Sequence, residues 1–294
     1  MSTLVDLSEL PAPEVLEPLD FETSYDETLG VFRDYMGDNW SADVESDPVT
    51  KLLEVGTYLK IGNRARVNDA AKALMVAYAI GADLEQLAAN VNLKRLVIQE
   101  ADPDAVPPVP AMLESIDALR ERVQLAYEGL TTAGPRNSYI LHARNASALV
   151  ADATAESPAP ACVDLTVLSL EGDGTAGPEL LAVVAEAVND DDVRPVGDRV
   201  TVRSAEILPF SVDAVLHMKG PGPENDAALA EAISRLKAWI NPRRRLGVEV
   251  ARSGVDAQLH VAGVGRVELR NWQDLAPTKA QAAYCTGYSV VLGG

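Results

Sequence analysis

Between Pro48 and Pro103 the chain has no proline, and the first part of that stretch carries the pattern of one very long amphipathic helix. Asp47 supplies a capping carboxylate, Pro48 fits a first helical turn, and Gly81 offers a left-handed stop. The predicted helix, residues 48–80, would be about 50 Å long at 1.5 Å per residue. Gly56 and Gly62 lie inside it and weaken it. Leu52, Val55 and Leu59 fall on one stripe at i, i+3 and i+7, the spacing of a bundle seam. A polar stretch, residues 63–69, follows, and the apolar pattern resumes at Val67, Ala71, Leu74 and Tyr78. Ala70, Ala71, Ala73, Ala77 and Ala79 make the second part a small-residue surface on which another backbone can lie close. A domain of this size has a radius of gyration on the order of 15 Å. The helix outruns it, so its apolar stripe is expected to pack partly on other chains, through Leu52, Val55, Leu59, Ala71, Leu74 and Tyr78.

The flanking sequence predicts a mainly helical first half. Residues 1–20 read as an extended acidic arm, since Pro11, Pro13 and Pro18 oppose a helix. A helix is predicted over 21–36. After the long helix, Asp83 to Gln86 resembles a capping box, so a short helix is expected over 83–89. Residues 95–98 read as a strand and 102–110 as a turn-rich connection. Leu113, Ile116, Leu119 and Val123 mark another amphipathic helix, ending near residue 130. Residues 134–150 read as helix.

"ADATAESPAP", residues 151–160, is small, polar and ends in proline, which reads as a linker. Beyond it the apolar period drops to two. Val163, Leu165 and Val167 alternate with Asp164 and Thr166. Phe210, Val212, Ala214, Leu216 and Met218 mark a second strand, and Val200 and Val202 a third. Helices are predicted over 178–188, along the face of Leu229, Ile233, Leu236 and Ile240, and over 254–262 between strands at 246–250 and 266–270. The order predicts an α+β chain: a helical region at 21–150 and, at 161–294, a split βαβ, ferredoxin-like domain.

Charge excludes some functions. The 294 residues carry a formal charge of −19. A chain so acidic lacks the cations that neutralise phosphates, so neither nucleic acid nor an anionic membrane is an expected partner. Residues 1–50 hold 13 acidic side chains against Arg33 alone. That is a solvated face or an arm for a basic partner. There is no basic-then-apolar leader and no run long enough to span a bilayer, so a soluble, cytoplasmically made protein is expected. Cys162 and Cys285 have no metal-site spacing and read as free thiols.

Chemistry is sparse. "LEGDGTAGPEL", residues 170–180, lacks the lysine and hydroxyl of a phosphate loop and the ligand spacing of a calcium loop. It reads as a glycine-rich turn leading to a helix that starts at Pro178. Glu171, Asp173 and Asp190 to Asp192 are the alternative, a metal-holding set in a ferredoxin-like ligand or metal-binding regulator. His142, His217 and His260 have no paired spacing, and Ser138 and Ser147 near His142 sit in no nucleophile elbow. "NPRRRLG", residues 241–247, is a basic cluster suited to a helix C-terminus or to an acidic neighbouring subunit. The chain is expected to have no enzymatic activity, cofactor or bound metal.

Three segments resemble the baseplate J-like family of contractile phage tails and phage-tail-like bacteriocins. They are "DPVTKLLEVGTYLKIGNRARVNDAAKALMVAYAIGADLEQLAANVNLKRL" from Asp47, "AYEGLTTAGPRNSYILHAR" from Ala126 and "VLSLEGDGTAGPELLAVVAEAVNDDDVRPVGDRVTV" from Val167. The continuation "GVEVARSGVDAQLHVAGVGRVEL" from Gly247 fits the same pattern. The resemblance implies a structural wedge subunit, similar to the ring-forming wedge protein of the T-even phages. It implies that two copies join one partner wedge subunit through a bundle of long helices. Six wedges then close a ring around the tail hub, with the sheath-initiating proteins as further partners. The implied location is the baseplate of a virion or tail-like particle, assembled in the bacterial cytoplasm. A baseplate of another contractile injection system is the nearest alternative.

Overall fold

The computed structural model describes residues 5–40, 44–127, 134–242 and 244–293. The start of the acidic arm, residues 128–133 of the second motif and the expected helix end, and Arg243 of the basic cluster lie outside the described residues. The chain is α+β and divides into two compact units. One comprises Met1–Lys94 with Leu119–Val123, the other Arg95–Ala118 with Gln124–Gly294. The division between the larger pieces thus falls at residues 94 and 95, not at 151–160.

The first unit is built on helices α1 (Phe21–Met36), α2 (Pro48–Ala73) and α3 (Ala82–Ala89). Asp20 caps α1 by accepting from the Thr23 N–H at 2.7 Å, and Asp47 caps α2 by accepting from Val49 N–H at 2.7 Å. Pro48 occupies the first turn of α2, where its missing N–H costs nothing. The 26 residues of α2 make a rod of about 39 Å.

α2 stops at Ala73, seven residues before the expected end at Ile80. The reason lies far along the chain. The Arg120 guanidinium donates to the carbonyls of Val76 and Ala79, each at 2.8 Å, and so takes over backbone acceptors of the turn that follows the helix. The backbone there tightens, with Tyr78 N–H on Met75 O at 2.9 Å. Gly81 then takes φ 54° and starts α3 without a side-chain cap, so the expected capping box at Asp83 does not form.

The second unit begins with a short antiparallel pair, β1 (Val97–Gln99) and β2 (Met112–Leu113). Next in chain order come α4 (Ile116–Leu125), of which Leu119–Val123 belongs to the first unit, and α5 (Arg136–Ala146). Two three-stranded sheets follow. The first has the order β3-β4-β5, from β3 (Val150–Ala159), β4 (Cys162–Ser169) and β5 (Arg199–Ser204), with helix α6 (Pro178–Asn189) crossing between the parallel pair β4 and β5. The second has the order β7-β6-β8, from β6 (Glu206–Met218), β7 (Val264–Leu269) and β8 (Gln281–Leu292). Helices α7 (Glu224–Ile240) and α8 (Arg252–Leu259) connect β6 to β7. Leu216, Leu236, Val255 and Leu259 are fully buried among them.

Several expectations are corrected here. Residues 151–160 form no linker: they are strand β3, paired antiparallel with β4, with Ala153 and Ala155 buried. The inward residues there are the small Ala153 and Ala155, alternating with the polar Asp152, Thr154 and Glu156, which composition alone mistakes for a loop. Nor is there a single split βαβ sheet, because each parallel pair is adjacent in its own three-stranded sheet. Residues 246–250 are not a strand, and β8 carries pairing that sequence reasoning missed. Its run "QAAYCTGYSVVL" has small residues where a stronger alternation would have shown.

The glycine-rich turn before α6 does match its expected form, with Pro178 opening the helix. Gly174 has φ +106°, and a Cβ there would lie 2.6 Å from the Leu168 side chain, itself fully buried. Gly174→Ala is therefore expected to cost about 2–4 kcal/mol, from backbone strain plus displacement of core. An unfolding free energy from urea titration lowered by that amount checks it; an unchanged value contradicts it.

Candidate assembly interface

Helices α1 and α2 run antiparallel, since Glu17 meets Asn68, Ser24 meets Arg64 and Glu27 meets Lys60. The contact between them is largely polar. Arg64 Nε lies 2.7 Å from Glu17 Oε2, and Lys60 Nζ 2.8 Å from Glu27 Oε2. Lys60 and Arg64 hold the Glu27 carboxyl below the usual range. The Asn68 amide clasps the arm, accepting from Glu17 N–H at 3.0 Å and donating to Glu17 O at 2.8 Å.

The result inverts the usual helix. The buried residues of α2 are Thr50, Thr57 and Asn68. Its large apolar residues face out: Leu52 is 70% exposed, Val55 57% and Leu59 63%. Tyr58 stands beside them, also exposed. An added Cβ at Gly56 or Gly62 would meet nothing within 4 Å, so the surface near Leu59 is open to a neighbour. An exposed apolar strip on a long helix marks an interaction surface more often than an isolated exposed leucine does.

The second group of expected interface residues is placed differently. Ala71 is on α2 and partly buried, but Leu74 is the residue that ends the helix and Tyr78 lies in the turn beyond. Leu74 is 76% exposed and Tyr78 37%. They do not continue the Leu52–Val55–Leu59 stripe as one helical seam. Sequence reasoning missed the clasp between Asn68 and Glu17, which joins residues 51 apart in the chain.

Asn68→Ala removes both clasp hydrogen bonds from a buried site and is expected to cost about 1–2 kcal/mol. The change should show as faster hydrogen exchange at the Glu17 amide, with amides in β4 unaffected.

The residues weighed for chemistry are dispersed. His142 is on α5, His217 on β6 and His260 at the end of α8. Burial lowers the His142 pKa. His217 Nε2 sits 3.0 Å from Glu268 Oε2 on the neighbouring strand. Asp173 accepts from Thr175 N–H and Asp190 from Asp192 N–H, both as local turn contacts. Among the described residues no group of three or more His, Cys, Asp or Glu is placed to hold a metal. Arg244 of the basic cluster donates to the carbonyls of Ser169, Leu170 and Gly172 and lies 5.6 Å from the Tyr284 ring centre. It braces the glycine-rich turn within its own unit. Cys162 and Cys285 are free thiols, and burial raises the Cys285 pKa. No described helix is long and apolar enough to cross a membrane.

Comparison with known proteins gives a consistent answer. Residues 45–102 match the baseplate J-like N-terminal domain, a span that contains α2 and α3. Residues 131–204 match the baseplate J-like central domain, which takes in α5 and the whole β3-β4-β5 sheet. Baseplate protein J of Escherichia phage P2 is 45% identical over 298 aligned residues, covering 99% of this chain and 98% of that protein. With both domains in order and similarity along its whole length, the chain belongs to the baseplate J-like family.

Proposed function

We propose that this protein is a structural, non-enzymatic wedge component of a phage baseplate on a contractile tail. In this reading two copies join one copy of a second wedge subunit through a bundle built on α2, and wedges close into a ring around the tail hub. The second unit supplies a further contact between copies, and sheath-initiating proteins bind above. Assembly takes place in the bacterial cytoplasm before the particle is released.

The observation that carries this reading is the inverted helix. A helix of 26 residues with threonine and asparagine inside and leucine, valine and tyrosine outside leaves its apolar strip uncovered within the chain. Burying such a strip contributes roughly 25 cal/mol per Å2 of apolar area. Many moderate contacts repeated by symmetry can switch together when a tail contracts. The relationship to a phage protein named for the baseplate supports the same location. A tail-like bacteriocin or another injection system would use the chain in the same way.

The experiment is to tag the full chain, isolate tail particles from producing cells, and locate the tag by electron microscopy. Label at the tail tip, with a second wedge subunit co-purifying, is the expected result. Particles without the tag, or label along the tube, would overturn it.

A further inference from the structure

Natural sheets guard their edge strands with charge, proline, bulges or shortness, because a bare edge pairs with any strand that reaches it. Three of the edges here are guarded. Edge β7 carries Arg266 and Glu268, β5 carries Arg199 and Arg203, and β3 carries Asp152, Glu156 and Pro158. The β1 and β2 pair is very short. The last half of β8 differs. Residues 286–292, "TGYSVVL", hold no charge and no proline, and residues 286–289 are exposed.

The hydrogen bonds fix which groups face outward. In the first half of β8 the outer edge is already filled: Gln281 O accepts from Gly247 N–H, and Asn241 pairs with both N–H and C=O of Cys285. A register shift between Cys285 and Gly287 then changes the phase. Gly293 N–H donates to Leu216 O, so odd-numbered residues bond inward to β6. The N–H and C=O of Tyr288, Val290 and Leu292 therefore point away from the sheet. Among the described residues they meet no further backbone or side-chain partner.

Those positions are self-complementary. If two β8 strands meet antiparallel about a two-fold axis at Val290, Val290 faces its own copy and Tyr288 faces Leu292 of the other. All three outward residues then fall on hydrogen-bonded pairs, giving about six new backbone bonds. An aromatic–aliphatic pair lies on one face, and Ser289 opposes Val291 on the other, with no like charges opposed. Lys237 Nζ on α7 lies 5.7 Å from the centre of the Tyr288 ring, and Asp213 of β6 is the register neighbour of Ser289, one strand in from the new pair. A shift of register by one residue would set inward-bonding groups against the partner, and a shift by two would keep about four of the six bonds, so the Val290-centred pairing forms the most.

We infer that the 286–292 edge of β8 is the site at which a second copy of this chain joins, extending the sheet across a two-fold axis to the order β7-β6-β8-β8-β6-β7. This deepens the proposed function by naming the surface on the second unit through which copies contact one another, and it rests on that reading.

The test uses the full-length chain with Ser289→Cys and Val291→Cys together. In this register they face each other at a non-hydrogen-bonded pair, about 4.5 Å between Cα atoms, within reach of a disulfide. Mild oxidation should give a covalent dimer whose peptide map joins residue 289 of one copy to 291 of the other. The Ser289→Cys single variant and the unmodified chain, with its native thiols, should stay unlinked. In a second arm, Ser289→Lys with Val291→Lys places like charges across the pair at exposed positions, and sedimentation should show dimer reduced about tenfold or more. A monomer in every arm, or linkage that does not depend on the 289–291 pair, overturns the inference. The same cysteine chain in tail particles separates the two readings. A chain present in the particle but unlinked discards the β8 contact and keeps the baseplate role. A chain absent from the particle discards the baseplate role.

Discussion

Leu59→Glu is expected to leave the isolated chain folded and to abolish its assembly. Leu59 is 63% exposed, so a glutamate there is solvated in the free chain and alters no core contact. In a bundle the same carboxylate must be stripped of water with no cation opposite, which costs several kcal/mol per copy. Two copies in each wedge would carry the penalty twice. A cost of that size lowers association by several powers of ten, since every 1.4 kcal/mol is about tenfold. The measurement pairs a thermal melt of the purified variant with co-purification of the neighbouring wedge subunit and electron microscopy of particles. The expected outcome is an unchanged melt, no co-purified partner and no intact baseplates. Normal wedges from Leu59→Glu would show that α2 is covered some other way, and a collapsed melt would show that Leu59 belongs to the chain's own fold.

What the sequence disclosed and what it hid divide along the range of the contacts involved. Local signals gave correct elements: Asp47 with Pro48 began α2, Pro178 began α6, and the alternation from Phe210 to Met218 lay within β6. Each depends on backbone groups within a few residues. The errors came where a distant residue decided. The end of α2 is set by Arg120, and strand β3 is defined by pairing with β4, so neither can be read from its own window. The apolar stripe of Leu52, Val55 and Leu59 was visible as a period, and its exposure agrees with an external partner. That the opposite face holds Thr50, Thr57 and Asn68 against α1 needed the fold. Leu74 and Tyr78 do not lie on the same helical stripe, because the helix ends at Ala73.

Strand β3 supplies the second large effect, at the residue that a linker would have made unimportant. Successive even positions of β3 tie it to segments flanking the other sheet. Asp152 Oδ2 accepts from Leu246 N–H at 2.9 Å, the Thr154 hydroxyl donates to Lys279 O at 2.6 Å, and Glu156 Oε1 meets Lys279 Nζ at 2.8 Å. Asp152 Oδ1 also accepts from Ala153 N–H at 2.9 Å, with Arg245 and Arg144 nearby in charge. Burial raises the Asp152 pKa, and these donors and cations only partly oppose it. Asp152→Ala leaves the N–H of Leu246, a buried residue, without its Asp152 acceptor, so a loss of about 1–3 kcal/mol is expected. Asp152→Asn keeps one acceptor oxygen and should lose less than the alanine variant. The pH dependence has a definite sign. The folded chain holds the Asp152 proton to higher pH than an unfolded aspartate, whose ordinary value is 3.8. In the window above that value the native state binds more protons, so this group removes stability as pH rises. Asparagine has no such proton, and its loss relative to the parent should be larger at about pH 4 than at about pH 8. Urea unfolding of parent, Asn and Ala chains at both pH values tests the argument. Equal stability of Asp152→Ala and parent would mean that the seam along β3 contributes nothing, and a loss for Asp152→Asn that grows with pH would mean that the cations outweigh burial at this carboxyl.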